Sequence, residues 1–257
     1  MNQVAEKKSA GLPANMFEDD AAKGLGAIGQ EDLALPFLKI LGQLSPEVNK
    51  RDGKYVEGAE PGMIYNSVSG ELYDGVKGVD VIPAFYKLEY IEWKDRGEGL
   101  GAPVAIYDSS SDILSKTTPD ANYKDRLPNG NYVEKTAYFY VLALVDGDVR
   151  PAIIPMRSSN LTPARELNDF IANGKMSDAK GMFNAPSFAF VYNLKTVGKQ
   201  AGSKSWHVYK PTKVRQLDLG KEADVNLWTI AAEMQKSAVK GTTKPKYEES
   251  NQTQDIV

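Results

Sequence analysis

The chain has 257 residues, with 31 Lys and Arg against 34 Asp and Glu for a net charge of -3, and 42% hydrophobic and 9% aromatic side chains. Its length allows one elaborated domain or two small ones, and its composition supplies a sizeable core, which excludes a collagen, a coiled coil or a disulfide miniprotein. With no cysteine and a single histidine, His207, thiolate chemistry, Cys-ligated metals and most Ser-His layouts are excluded, as is a uniformly basic nucleic-acid binder.

Residues 1–30 read as a flexible polar arm broken by Gly11, Pro13, Gly24, Gly26 and Gly29. They carry no signal-peptide pattern, and no window of the chain approaches the roughly 20 apolar residues of a membrane span. The expectation is therefore a cytoplasmic protein with no membrane partner. Residues 31–240 read as a single domain, and 241–257 as a flexible, weakly acidic tail. The stretch from Asp32 to Leu41 is apolar, but Pro36 argues against an unbroken helix through it. A small hairpin follows, residues 63–65 and 71–73 around a Ser67-to-Gly70 turn.

A long strand is predicted over 79–94, bent at Pro83, from its β-branched and aromatic run and its alternation. Residues 95–135 hold seven acids, five bases and many Gly, Ser, Pro and Asn, and read as a long loop with one short strand-like run at 104–107. Strands at 136–145 and 149–156 are joined by Asp146-Gly147, a tight-hairpin dipeptide, and Pro151 and Pro155 mark the second as an edge. A helix is predicted over 162–173, capped by Thr162, with Pro163 in its first turn and Gly174 ending it. Strands at 186–194 and 205–210 and a last helix over 222–240 complete the reading.

Five strands with a helix between the third and fourth is the element order of an OB-fold. The expected class is mainly β with helices, a β-rich α+β chain: an OB-fold-like five-stranded barrel elaborated by a long loop, an N-terminal extension and a C-terminal helix. A six- or seven-stranded sandwich with an inserted helix would give a similar order. In the barrel, the two binding loops would be 95–135 and 195–204.

The most informative segment is 195–215, with six bases and no acid in 21 residues. Lys195, Lys199, Lys204, Lys210, Lys213 and Arg215 would neutralise phosphates, its glycines would make a mobile loop, and Trp206 and Tyr209 would stack unpaired bases. Tyr86, Tyr90, Trp93, Tyr138 and Tyr140 offer further stacking faces on two strands, or else pack the barrel. Arg157 would reach a phosphate or cover the following helix. This points to a non-enzymatic, sequence-tolerant single-stranded DNA-binding protein with no cofactor. A second reading takes Asp80, Glu92 and Lys94 as the Asp…Glu-x-Lys set of a Mg²⁺-dependent nuclease, without the helix that normally backs it. A third is a structural or host-modulating protein whose basic patch binds protein. Gly97, Gly99 and Gly101 lack the strand-to-helix context of a phosphate loop, and nothing decides between monomer and homo-oligomer.

The sequence resembles a group of bacteriophage early-region proteins regarded as single-stranded DNA-binding proteins. The matching stretches are Asp32 to Lys39, Gln43 to Val48, Gly78 to Pro83, Tyr90 to Trp93, Ile153 to Ser159 and Trp206. The resemblance implies an OB-like core, an accessory role in phage DNA replication or recombination, and protein contacts through an acidic C-terminal tail. The tail departs from that pattern: Glu248, Glu249 and Asp255 are few, and the chain ends Asp255-Ile-Val257.

Overall fold

A computed structural model describes residues 35–95, 102–178 and 180–241, which belong to one compact unit beginning at Ala34. The arm at 1–30, the Gly97-to-Gly101 run and the tail acids therefore lie outside the described residues. Strands β1 (Leu38–Ile40), β2 (Ile64–Asn66) and β3 (Leu72–Tyr73) form a small antiparallel sheet. The predicted 63–73 hairpin is its β2–β3 half. The Pro36 segment ends as strand, because β1 finds β2 as a ladder partner.

The main sheet begins with β4 (Val79–Trp93), β5 (Ala105–Asp108), β6 (Thr118–Pro119), β7 (Asp125–Arg126), β8 (Tyr132–Val145) and β9 (Asp148–Arg157). Helix α1 (Leu161–Ala172) follows, then a separate hairpin, β10 (Lys175–Asp178) and β11 (Gly181–Asn184). The chain returns to the main sheet with β12 (Phe190–Ala201) and β13 (Lys204–Gln216), and α2 (Glu222–Val239) ends the described part. The five long strands run β13-β12-β4-β8-β9, all antiparallel. That order, a three-strand meander whose first strand also receives the strand after the helix, is the OB order. The protein is a β-rich α+β chain with a strongly curled, barrel-like sheet.

Local chemistry explains most boundaries. Asp146 (φ 51°) and Gly147 (φ 86°) both adopt left-handed backbone, as a two-residue hairpin turn requires. In β4 the register slips between Pro83 and Phe85, where the proline cannot donate to the ladder and the strand bends. Within the main sheet β9 pairs only with β8, so Pro151 and Pro155 do sit on an edge. Three expectations are corrected. The 95–135 stretch contains β5 to β7 and the start of β8. Residues 187–189 form a 3-10 turn, so β12 starts at Phe190. Thr162 is not the helix cap: Asn160 holds that position, and its side chain accepts from Tyr209 N (2.8 Å) instead.

Two cores lie on the two faces of the sheet. Phe139, Val141, Ile154, Met156 and Tyr192 pack with Ala164 and Leu167 of α1 on one face. Ile82, Tyr140, Leu142, Ile153 and Val191 pack with Leu227, Ala231 and Met234 of α2 on the other. The helical residues recur at three- and four-residue spacing and so share one stripe each.

A clamp fixes the small sheet to β12. Thr196 donates its backbone N–H to Gly75 O (2.7 Å) and its hydroxyl to Gly62 O (2.5 Å). A Cβ on Gly75 would lie 2.0 Å from Gly62 O and 2.1 Å from Thr196 Oγ1, so only glycine allows this approach. Gly75→Ala is expected to lower stability by about 2–3 kcal/mol, a fall of roughly 4–12 °C in the thermal midpoint. Gly53→Ala, whose new methyl meets nothing within 4 Å, is the matched control. Equal midpoints for the two variants would mean that the clamp does not hold the sheets.

Candidate functional site

The segment expected to be a mobile loop, 195–204, is a β-ribbon. After Leu194 pairs with Val79, β12 leaves β4, and residues 195–201 continue as a ladder with 204–210 alone. Only Gly202, with φ 57°, and Ser203 make the turn. Glycine in this stretch reads as a loop signal, but Gly198 lies in the ladder opposite His207. The cations are therefore held at fixed spacing.

Register sorts them. Lys195 pairs with Lys210, Val197 with Val208, Lys199 with Trp206 and Ala201 with Lys204, so four lysines share one face of the ribbon around Trp206. All four are exposed, and none meets a carboxylate among the described residues. The remaining two predicted cations are otherwise engaged. Arg215 donates to both oxygens of buried Asp224 (2.6 and 2.8 Å), and Asp218 N adds a third bond (2.7 Å). The guanidinium holds the Asp224 carboxyl below its ordinary range. Lys213 Nζ lies 3.3 Å from the centre of the Phe190 ring.

Trp206 also borders a groove of about 590 Å³ between β13 and the β8–β9 pair, crossed by residues 37–47. The groove brings together five of the predicted residues: Trp93, Tyr138, Arg157, Trp206 and Tyr209. Tyr138 and Tyr209 are buried and serve as wall rather than platform; Tyr209 donates its hydroxyl to Leu38 O (3.1 Å), and burial pushes that hydroxyl's pKa upward. Tyr138 and Phe37 set their rings 6.4 Å apart. Arg157 donates one N–H to Glu134 (3.0 Å), and that charge raises its pKa.

The other strand tyrosines do not join this site. Tyr86 and Tyr90 alternate with Trp93 and so face away from it; Tyr86 packs on Phe139 (5.1 Å), and Tyr90 is buried against Ile113 and Val133. Tyr140 is core, edge-on to Phe85 (5.7 Å). Conversely, the groove contains Lys39, Glu47, Thr136 and Asn160, which sequence reasoning missed. Lys39 and Glu47 alone carried a signal, since they fall in the matched stretches Asp32 to Lys39 and Gln43 to Val48.

The proposed nuclease set is not assembled. Asp80 and Glu92 lie at opposite ends of β4, on the order of 40 Å apart along an extended strand. Asp80 accepts from Asn193 Nδ2 (2.7 Å). Glu92 is buried and accepts from Tyr107 OH (2.6 Å), Asn131 Nδ2 (2.5 Å) and Asn129 Nδ2 (3.1 Å), tying the 105–131 segment to β4. Lys94 is exposed beyond the strand end. Among the described residues no cluster of three or more His, Asp or Glu has metal-site geometry, and no helix is long and apolar enough to cross a membrane.

The family model of Pam3 phage gp34-like proteins matches residues 5–244. This span covers most of the 257 residues, so the chain belongs to that bacteriophage protein family. No curated protein and no solved structure matches the chain.

Glu92 generates a test of the structural role assigned to it. Hydrogen bonds from Asn131 first, then Tyr107, hold its carboxyl below the ordinary range. A depressed folded-state pKa contributes stability that is present above the ordinary carboxylate value of about 4.3 and is lost as pH falls below it. Glu92→Gln turns an acceptor into a donor facing donors, and is expected to cost about 1–3 kcal/mol at pH 7. Urea midpoints from pH 7 to 3 should converge for wild type and variant; parallel curves would remove Glu92 from the acid-sensitive groups.

Proposed function

We propose that this phage protein is a non-enzymatic, sequence-tolerant binder of single-stranded DNA that coats and protects it during phage DNA replication or recombination. The observation that carries the reading is the ribbon: four exposed lysines on one face, with no carboxylate partner among the described residues, in a chain of net charge -3. Cations that no carboxylate engages keep their full attraction for a polyanion, and a phosphate backbone neutralised by them releases counterions. The fixed alternation of the ladder repeats the charge along the ribbon without any base-reading element, which favours backbone contact over sequence recognition. Trp206 lies among these lysines and lines an aromatic groove, where an unpaired base has a surface and a stacked duplex base does not. Recruitment of replication or recombination proteins through the C-terminal tail belongs to the same reading.

Each phosphate contact on a single strand contributes about 0.7 to the slope of log affinity against log salt. Lys199→Ala with Lys204→Ala should therefore lower the slope for oligo-dT by about 1.4 and weaken binding at low salt. Lys213→Ala, whose ammonium rests on Phe190, should leave the slope nearly unchanged. Fluorescence anisotropy between roughly 50 and 200 mM salt reads all three proteins. Identical slopes for the double variant and wild type would take the ribbon out of the interface.

A further inference from the structure

Three buried polar atoms with no hydrogen-bond partner among the described residues belong to residues that line the groove: Glu47 Oε2, Thr136 Oγ1 and Trp206 Nε1. Glu47 and Thr136 are only 4% and 2% exposed. A buried polar group with no partner costs free energy, so its retention calls for a compensating contact in the working state. Glu47 shows how the site is built: Lys39 Nζ donates to Oε1 (2.9 Å) and fixes the carboxylate, and Oε2 is left over. Thr136 stands on β8 directly opposite Arg157 of β9, on the same sheet face as Tyr138. The residues that line the groove thus combine aromatic rings with one obligate donor, the indole N–H, one obligate acceptor, the carboxylate oxygen, and a hydroxyl that does either, all three atoms being covered in this structure.

We propose that the groove is a pocket for one unstacked nucleobase, held by its edge as well as by its faces; this rests on the single-stranded DNA reading above and deepens it. The Watson–Crick edge of every base carries at least one N–H donor and one acceptor, so each can offer a hydrogen to Glu47 Oε2 and an acceptor to Trp206 Nε1. The recognition is therefore of a base as such, not of one base. An acyl chain has no such combination, and a peptide segment offers it on a flat ring only through a neutral histidine. The remaining donors of Arg157, whose side chain is 58% exposed, lie at the same groove for the phosphate attached to the captured nucleoside. The ribbon then supplies affinity for the backbone, and the pocket supplies the requirement that a base be unpaired.

The test compares oligo-dT with an oligomer of equal length made of abasic sugar phosphates, at one salt concentration. The wild type should prefer oligo-dT by about tenfold or more, the scale of one stacked base. Thr136→Val keeps the shape but removes the hydroxyl, and Trp206→Phe keeps a ring but removes the N–H. Each should shrink the preference by about three- to tenfold while leaving the salt slope intact. Thr136→Val should also unfold at the same temperature as wild type or higher, because the hydroxyl it removes has no partner in the fold. That combination of kept stability and lost preference is not produced by a misfolded variant. Unchanged preference in both variants, or no preference in the wild type, would overturn the pocket and leave the ribbon reading standing. Failure of the wild type to bind either oligomer would overturn both.

Discussion

Among the described residues no backbone ladder joins β9 to β13, the pair of edges that would close the barrel. Residues 36–41 cross the gap instead. Ile153 N donates to Pro36 O (2.9 Å), Phe37 forms an isolated bridge with Ile153, and Tyr209 OH reaches Leu38 O (3.1 Å) from the other side. A strand inserted as a full ladder would have filled this space with side chains of regular spacing. A strap held at a few points satisfies the edge groups and leaves a groove beside it. The position of Trp206, the exposure of Arg157 and the burial of Glu47 all follow from that incomplete closure.

The ribbon depends on the same arrangement. Because β12 parts from β4 at Leu194, its continuation needs another support, and the Thr196 clamp to Gly62 and Gly75 provides it. His207 packs its ring where Gly62 has no side chain, and Gln43 Nε2 bonds Ser205 Oγ (2.8 Å). The lysine face is therefore set by contacts on the opposite face and at the edge. This separation lets the cations remain solvated while the backbone that carries them is fixed, which lowers the ordering cost when a polyanion binds.

What the sequence made legible was local chemistry. Asp146-Gly147, the edge prolines of β9, the bend at Pro83 and the two helix stripes each depend on residues within a few positions of one another, and each was readable. The ribbon was misread because Gly198 and Gly202 look alike in a sequence, although one sits in a ladder and the other in the turn. Only register tells them apart. The groove was half legible: Trp206, Arg157 and Trp93 have the right chemistry, but their meeting depends on strands far apart in the chain. Glu47 and Thr136 gave almost no sign, since an acid after Ser-Pro and a threonine in a strand are ordinary until burial removes their partners. The engagement of Arg215 was illegible for a related reason, as its partner Asp224 lies nine positions away across a turn.

The cations differ in what engages them, and this bears on what the surface can do. Arg126 is held by Asp95 and Asp120, Arg150 by Glu71 and Asp148, and Arg215 by Asp224, each using the planar fork to join elements of the fold. The hydrogen bond from Arg150, with help from Ser69 and Tyr73, brings the Glu71 carboxyl down to about 2, so this junction stays charged throughout the physiological range. The four ribbon lysines join nothing. An ammonium on a long stem is suited to that role, because it keeps its hydration and follows a polyanion whose phosphates shift. The net negative charge does not weaken the ribbon, because much of the acid among the described residues is already committed to ion pairs elsewhere, and the ribbon cations without carboxylate partners lie on one face.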